Sequence, residues 1–239
     1  MFIKINNVKI NYIQYGEGKD ILLLHGWGQN IAMMKPIGDN LCDRCRVTIL
    51  DFPGFGESEE PSSPWGITEY ALLLEEFIKK LNIKKPSIIG HSFGGRVAIR
   101  YSANNPIEKL VLFGSPCIRR ERELPLSVKI LKKLKTLPGL NEFGEYMKQY
   151  IGSRDYKAAS PMMRQILVNV VNEDLSSYAK KIEEPTLLIW GENDTEALVE
   201  DAKELEKIMV DAGLIILPGT HYAYLENLSQ VSNILREFI

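Results

Sequence analysis

Runs of consecutive apolar residues and amphipathic stretches take turns along this chain. "DILLLHG" (20–26), "RVTILDFPGFG", "PSIIGHS", "EKLVLFGSP", "PTLLIWGEND" and "AGLIILPGTH" are short aliphatic runs that end in turn residues, the pattern of strands buried on both faces. Residues 2–7 and 8–15 alternate instead and predict a hairpin. Between the apolar runs, "ITEYALLLEEFIKKLNI" (67–83), "ALVEDAKELEKIM" (197–209) and "LENLSQVSNILREFI" (225–239) place apolar residues three and four apart. That spacing predicts amphipathic helices, the first with Thr68 as its cap. Alternating strands and helices predict an α/β fold, a parallel sheet covered on both faces, with ligands bound at the carboxyl ends of the strands.

One region breaks the alternation. From about Cys117 to Tyr178 there is no strand pattern, and "LSVKILKKLKTL" and "PMMRQILVNVV" read as helices on either side of Pro138-Gly139. The expectation is one domain over residues 1–239, with residues 117–178 a helical insertion set over the strand ends as a lid. Its first part is basic, with Arg119, Arg120, Arg122, Lys129, Lys132, Lys133 and Lys135 against Glu121 and Glu123. Ile130, Leu131, Leu134 and Leu137 form the opposite, apolar stripe. The basic face reads as a solvated helix surface; a membrane surface, an anionic substrate or an acidic partner are the alternatives. Met162 and Met163 read as core, with an adaptable apolar pocket as the other reading.

Composition narrows the class. At 239 residues and a net charge of −2, the chain has no global attraction for nucleic acid or anionic membrane. "MFIKINNVKINY" lacks the apolar stretch of a signal peptide, and no run approaches the length of a membrane span. A cytoplasmic protein without an integral membrane segment is expected, as monomer or dimer. The three cysteines, Cys42, Cys45 and Cys117, fit a reducing compartment. Cys42 and Cys45 form a C-x-x-C, but it leads into a strand rather than opening a helix, and no second pair exists for zinc. They read as packing or surface thiols.

The candidate chemistry sits at the strand ends. "GHSFG" places Ser92 between Gly90 and Gly94 where an apolar run passes into a helical one. A serine on so sharp a turn needs small residues two positions either side, and it stands at a helix N-terminus that favours developing negative charge. A serine hydroxyl needs a base, and the base needs an orienting carboxylate. His91 adjoins Ser92 and should point away from it, and His25 ends the first apolar run; both read as buried structural histidines. His221, in the loop after the last run, is the candidate base. Asp194 is the chosen carboxylate among Glu192, Asp194 and Glu196, with the two glutamates left open by spacing alone. Asp51 precedes the serine in chain order and reads as a turn residue. Backbone N–H groups of Phe93 and of Trp27, in "HGWGQN", are the candidate oxyanion hole.

These landmarks ("LLLHGWG", "DFPGFGES", "IIGHSFGG", "LLIWGENDT" and "LPGTHYAYLENL") resemble, in order and spacing, those of the α/β-hydrolase superfamily. The resemblance covers roughly residues 20–115 and 183–239. It implies an eight-stranded, mostly parallel sheet flanked by helices, a Ser92/Asp194/His221 triad, an oxyanion hole from the Trp27 and Phe93 backbone, and no cofactor. Within the superfamily the chain is similar to small carboxylesterases, including pimeloyl-carrier-protein methyl ester esterases, and to meta-cleavage C–C bond hydrolases. The glycine run of many lipases is missing, and no proline follows the aspartate in "NDTEALVE", where the family commonly has one. Serine at position 92 argues against haloalkane dehalogenase or epoxide hydrolase chemistry. The function expected is therefore a serine hydrolase of a small carboxylic ester or related acyl compound. C–C bond hydrolysis or lactone opening by the same triad is the nearest alternative, and a non-catalytic ligand receptor on the same fold is a third.

Overall fold

A computed structural model describes residues 1–119 and 154–239. The runs singled out above become strands of one eight-stranded sheet: β1 (Phe2–Ile5), β2 (Val8–Tyr15), β3 (Lys19–Leu24), β4 (Cys45–Leu50), β5 (Ser87–His91), β6 (Leu110–Phe113), β7 (Thr186–Gly191) and β8 (Ala212–Leu217). The spatial order is β1-β2-β4-β3-β5-β6-β7-β8. β2 runs antiparallel to β1 and β4, and every other pairing is parallel. Asn6 and Asn7 close the first hairpin with φ of 47° and 67°, left-handed conformations that asparagine tolerates in tight turns.

Why the runs are continuous rather than alternating is visible in the packing. Leu22, Leu24, Ile88, Leu110, Leu112 and Leu188 point to one face, against α2 (Ile67–Lys80), α3 (Phe93–Ser102) and α7 (Val199–Ile208). Ile21, Leu23, Ile89, Val111, Leu187 and Ile189 point to the other, against α1 (Ile31–Asp39) and α9 (Leu228–Phe238). Successive strand residues alternate faces, so a sheet covered on both sides needs apolar residues at every position.

Three local expectations change. Thr68 does not cap α2; Gly66 is the cap residue, and its N–H donates to Glu69 Oε2 at 2.7 Å. Glu69, reaching back from the third helical position, does what the Thr68 side chain was expected to do, and Thr68 Oγ1 accepts from Arg100 Nε instead. The C-terminal helix is broken at Asn227 into α8 (Ala223–Glu226) and α9, because the Asn227 amide turns to Pro218 and Ala223 carbonyls. α1 was not anticipated, since Pro36 lies inside it; Asn30 Oδ1 caps it at Ala32 N–H.

Between β6 and β7 the described residues form α4 (Arg154–Ala158), α5 (Pro161–Asn172) and α6 (Ser176–Ala179). The basic stretch from Arg120 to Lys135, with its apolar stripe, lies outside the described residues. Both stems of the insertion are tied to the core. Arg96, buried in α3, donates to Pro116 O and Glu173 O at 2.5 Å each, and Leu175 N–H donates to Cys117 O. Met163 on α5 is buried against Gly54, where its sulfur fills the space a side chain would need. Cys42, Cys45 and Cys117 are all free thiols, and Cys45 is buried at the start of β4. No helix among the described residues is long and apolar enough to cross a membrane.

Candidate active site

The chain passes from β3 outward to β4 and then back across to β5, so β3 and β5 are neighbours with their connections leaving in opposite directions. That makes a crevice at their carboxyl ends. Register keeps the ends level: Leu24 pairs with Gly90, His91 with Phe113, and Phe113 with Ile189. Ser92 follows β5 directly, and Trp27, Asp194 and His221 lie in the loops that leave the carboxyl ends of β3, β7 and β8.

Ser92 joins β5 to α3 with φ 50° and ψ −111°, a conformation costing about 1–3 kcal/mol that persists only where surroundings enforce it. Its N–H is held by Phe113 O at 2.9 Å and its carbonyl by Arg96 N–H at 3.1 Å. The flanking glycines answer to crowding. A side chain on Gly90 would meet Gly95 backbone at 2.6 Å, and one on Gly94 would meet Leu24 O at 2.3 Å. α3 is thereby pressed against the end of β3, next to the loop that holds Trp27.

His221 and Asp194 meet across the loops after β8 and β7. Nδ1 of His221 lies 2.8 Å from Asp194 Oδ2, and both residues are buried. The other carboxylate oxygen, Oδ1, accepts from Glu196 N–H at 2.9 Å and Ala197 N–H at 2.8 Å. These two bonds orient the aspartate. An aspartate held this way fixes the imidazole tautomer, with the proton on Nδ1 and the lone pair on Nε2. Of the other two candidate carboxylates, Glu192 is exposed and contacts Asn193, while Glu196 stands near the other ring nitrogen, its Oε2 3.6 Å from Nε2. Thr220 N–H and Oγ1 both donate to Glu226, pinning the turn that carries His221.

Gly114, which the sequence reading passed over, lies between the Ser92 turn and this pair. It follows Phe113 with φ 49°, and a Cβ there would stand 3.0 Å from both Asp194 Oδ2 and His221 Nδ1. A glycine directly after a buried strand was its only sequence signal. Among the described residues no hydrogen bond joins Ser92 Oγ to His221, a looseness common in unliganded sites.

Neither the Trp27 nor the Phe93 N–H donates to a protein acceptor among the described residues. The two residues touch, with ring centroids 5.5 Å apart. Around them Phe52, Phe55 and Tyr70 pack edge to face, forming an apolar wall that the sequence reading did not assemble because its members come from four separate segments.

The other two histidines brace the loops. His25 Nδ1 donates to Gly26 O at 2.7 Å and Nε2 accepts from Phe52 N–H at 2.9 Å. Burial pushes its pKa down to about 4, so the ring is neutral. His91 points away from Ser92, as its position in the turn predicts. Its Nε2 lies 3.1 Å from His221 O and its Nδ1 3.2 Å from Gln29 Oε1, which also accepts Gly26 N–H. Burial, then the neighbouring His221, pushes the His91 pKa down to about 3. One buried ring thus spans the His221 loop and the Trp27 loop. Asp51 is the turn residue expected: it accepts from Ile31 N–H, Glu57 N–H and Asn11 Nδ2. Burial pushes the Cys117 thiol up to about 12, which keeps it protonated.

The sheet order is that of the α/β-hydrolase fold. A family model described as "alpha/beta hydrolase fold" matches residues 20–135. Among curated proteins, the chain is similar to a pimeloyl-[acyl-carrier protein] methyl ester esterase from Nitrosospira multiformis, 28% identical, covering 92% of this chain and 95% of that one. An esterase structure from Exiguobacterium antarcticum superposes with TM-score 0.79 at 24% identity, over 99% of this chain and 98% of that one. A meta-cleavage product hydrolase structure from Pseudomonas fluorescens does so with TM-score 0.77 at 20% identity, over 100% and 96%.

Proposed function

We propose that the chain is a serine hydrolase of small carboxylic esters. Ser92 attacks the acyl carbon while His221 Nε2 takes the hydroxyl proton, and Asp194 stabilises the imidazolium. The Trp27 and Phe93 N–H groups receive the carbonyl oxygen as it becomes an oxyanion. His221 then protonates the leaving alkoxide, and water, deprotonated by the same ring, releases the acid from the acyl-enzyme. The segment over residues 117–178 serves as the lid, with Met163 and the aromatic wall beside it supplying the apolar surface for an acyl chain.

One observation carries this reading. Phe113 O accepts the N–H of the strained Ser92, and at the next residue, Gly114, even a Cβ would stand 3.0 Å from the buried Asp194–His221 pair. The serine turn and the candidate base, far apart in sequence, therefore lie on either side of the end of β6. The relationship to an esterase over nearly the full length of both chains supports the same substrate class.

The test is hydrolysis of p-nitrophenyl acetate and butyrate by wild type and Ser92→Ala. Loss by about 10⁴-fold or more is expected; a variant as active as wild type would sink the mechanism. Lactones and ring-cleavage diketones assayed beside these esters decide between ester, lactone and C–C chemistry. Failure of Ser92 to be labelled by a fluorophosphonate probe would instead favour a non-catalytic receptor.

A further inference from the structure

The Glu196 side chain has no part in the mechanism above, yet its carboxylate stands beside His221 Nε2. Its Oε2 is 3.6 Å from His221 Nε2, on the opposite side of the ring from Asp194. The placement follows from the loop. Glu196 N–H donates to Asp194 Oδ1 at 2.9 Å, so the turn that presents Asp194 to Nδ1 also presents Glu196 to Nε2. The two carboxylates differ in surroundings. Asp194 is buried and its charge is shared among three donors, whereas the Glu196 side chain is 62% exposed and its charge faces the solvent side of the crevice.

The group expelled from the acyl carbon must lie against Nε2, because Nε2 hands it a proton. A carboxylate next to Nε2 is therefore a carboxylate next to the leaving group. We propose that Glu196 is a specificity-determining residue that selects esters by the charge of their alcohol portion, favouring cationic over neutral over anionic leaving groups. This rests on the Ser92–His221 reading. It goes beyond it in naming which end of the substrate the protein discriminates and by what force.

The size of the effect is bounded by exposure. Opposite unit charges about 6 Å apart at an effective dielectric constant of about 50, between surface and bulk values, give roughly a fivefold preference. A like charge gives roughly the same factor in the opposite sense. Added salt shrinks both, since the pair is open to solvent.

The experiment uses three acetates of matched shape: 3-(trimethylammonio)phenyl, 3-tert-butylphenyl and 3-sulfophenyl acetate. kcat/KM is measured for wild type and for Glu196→Gln at low and at about 0.5 M salt. Dividing wild type by variant for each ester cancels the intrinsic reactivity of the three leaving groups. The expected ratios fall in the order cationic, neutral, anionic, with about fivefold between neighbours at low salt and a narrower spread at high salt. Equal ratios for the three esters, or a spread that salt does not narrow, overturn the proposal. A Ser92→Ala control run on the same esters separates the two levels. If it abolishes turnover while the ratios stay equal, the selectivity idea fails and the serine mechanism stands. If hydrolysis survives Ser92→Ala, or wild type cleaves none of the esters, the serine mechanism itself fails and the proposal with it.

Discussion

Adding one methyl group at Gly114 tests the assembly of the site more sharply than removing any of its reactive groups. A Cβ there would sit 3.0 Å from Asp194 Oδ2 and 3.0 Å from His221 Nδ1, some tenths of an ångström inside comfortable contact. Asp194 cannot yield, because Glu196 and Ala197 N–H groups hold its other oxygen at 2.9 and 2.8 Å. The imidazole must move, stretching the 2.8 Å bond to Asp194 and turning Nε2 away from the serine. A displacement of 1 Å can cost about 10²-fold in rate, so a few tenths should cost about tenfold. The backbone adds its own term: an alanine at φ 49° costs about 1–2 kcal/mol of stability. Gly28→Ala isolates that term, since Gly28 has φ 69° and nothing within 4 Å of its missing Cβ. Urea unfolding should show both variants destabilised by about 1–2 kcal/mol. Steady-state hydrolysis of p-nitrophenyl acetate should show Gly114→Ala slowed mainly in kcat. A folded Gly114→Ala protein with kcat within twofold of wild type would mean that the Asp194–His221 pair is not the working base.

Three further outcomes are expected. Asp194→Asn should lower kcat by about 10³–10⁴-fold by stabilising the wrong imidazole tautomer, while Glu192→Gln, an exposed change, should leave ester hydrolysis near wild type; equal losses in both would contradict the assignment. His91→Ala should lower kcat about tenfold, because the ring packed between the His221 carbonyl and Gln29 is lost and both loops can shift; a change confined to KM would argue against that positioning role. Stability should fall as pH drops from about 6.5 towards 4, read as urea midpoints at pH 7 and pH 4.5. The folded pKa values are about 4 for His25 and about 3 for His91, both below the unfolded 6.5, so the unfolded chain binds the extra protons and up to about 3 kcal/mol for each ring is lost across that window. A flat profile would show that neither ring is buried neutral.

Much of this was legible in the chain. Continuous aliphatic runs can satisfy a strand only when both faces are covered, so "DILLL", "PSIIG" and "PTLLIW" announce a parallel sheet before any pairing is known. "GHSFG" announces a crowded turn, because the Gly–Ser–Gly spacing answers to sterics within a few residues. What stayed hidden depends on contacts between distant segments. Thr68 looked like a cap until Glu69, folding back onto Gly66, took that place. Spacing left Asp194 and Glu196 both open, since side-chain direction in a loop is set by hydrogen bonds that only the folded loop makes. His91 and Gly114 carried no local mark of their positions: one spans two loops, the other leaves no room for a Cβ beside a pair contributed by two later loops. Periodicity and turn chemistry act over a handful of neighbours, and so the sequence by itself determined the fold and the location of the serine. Which groups surround that serine, and how charge is distributed about the His221 ring, was decided by strand register and loop packing, forces that act only once the sheet has formed.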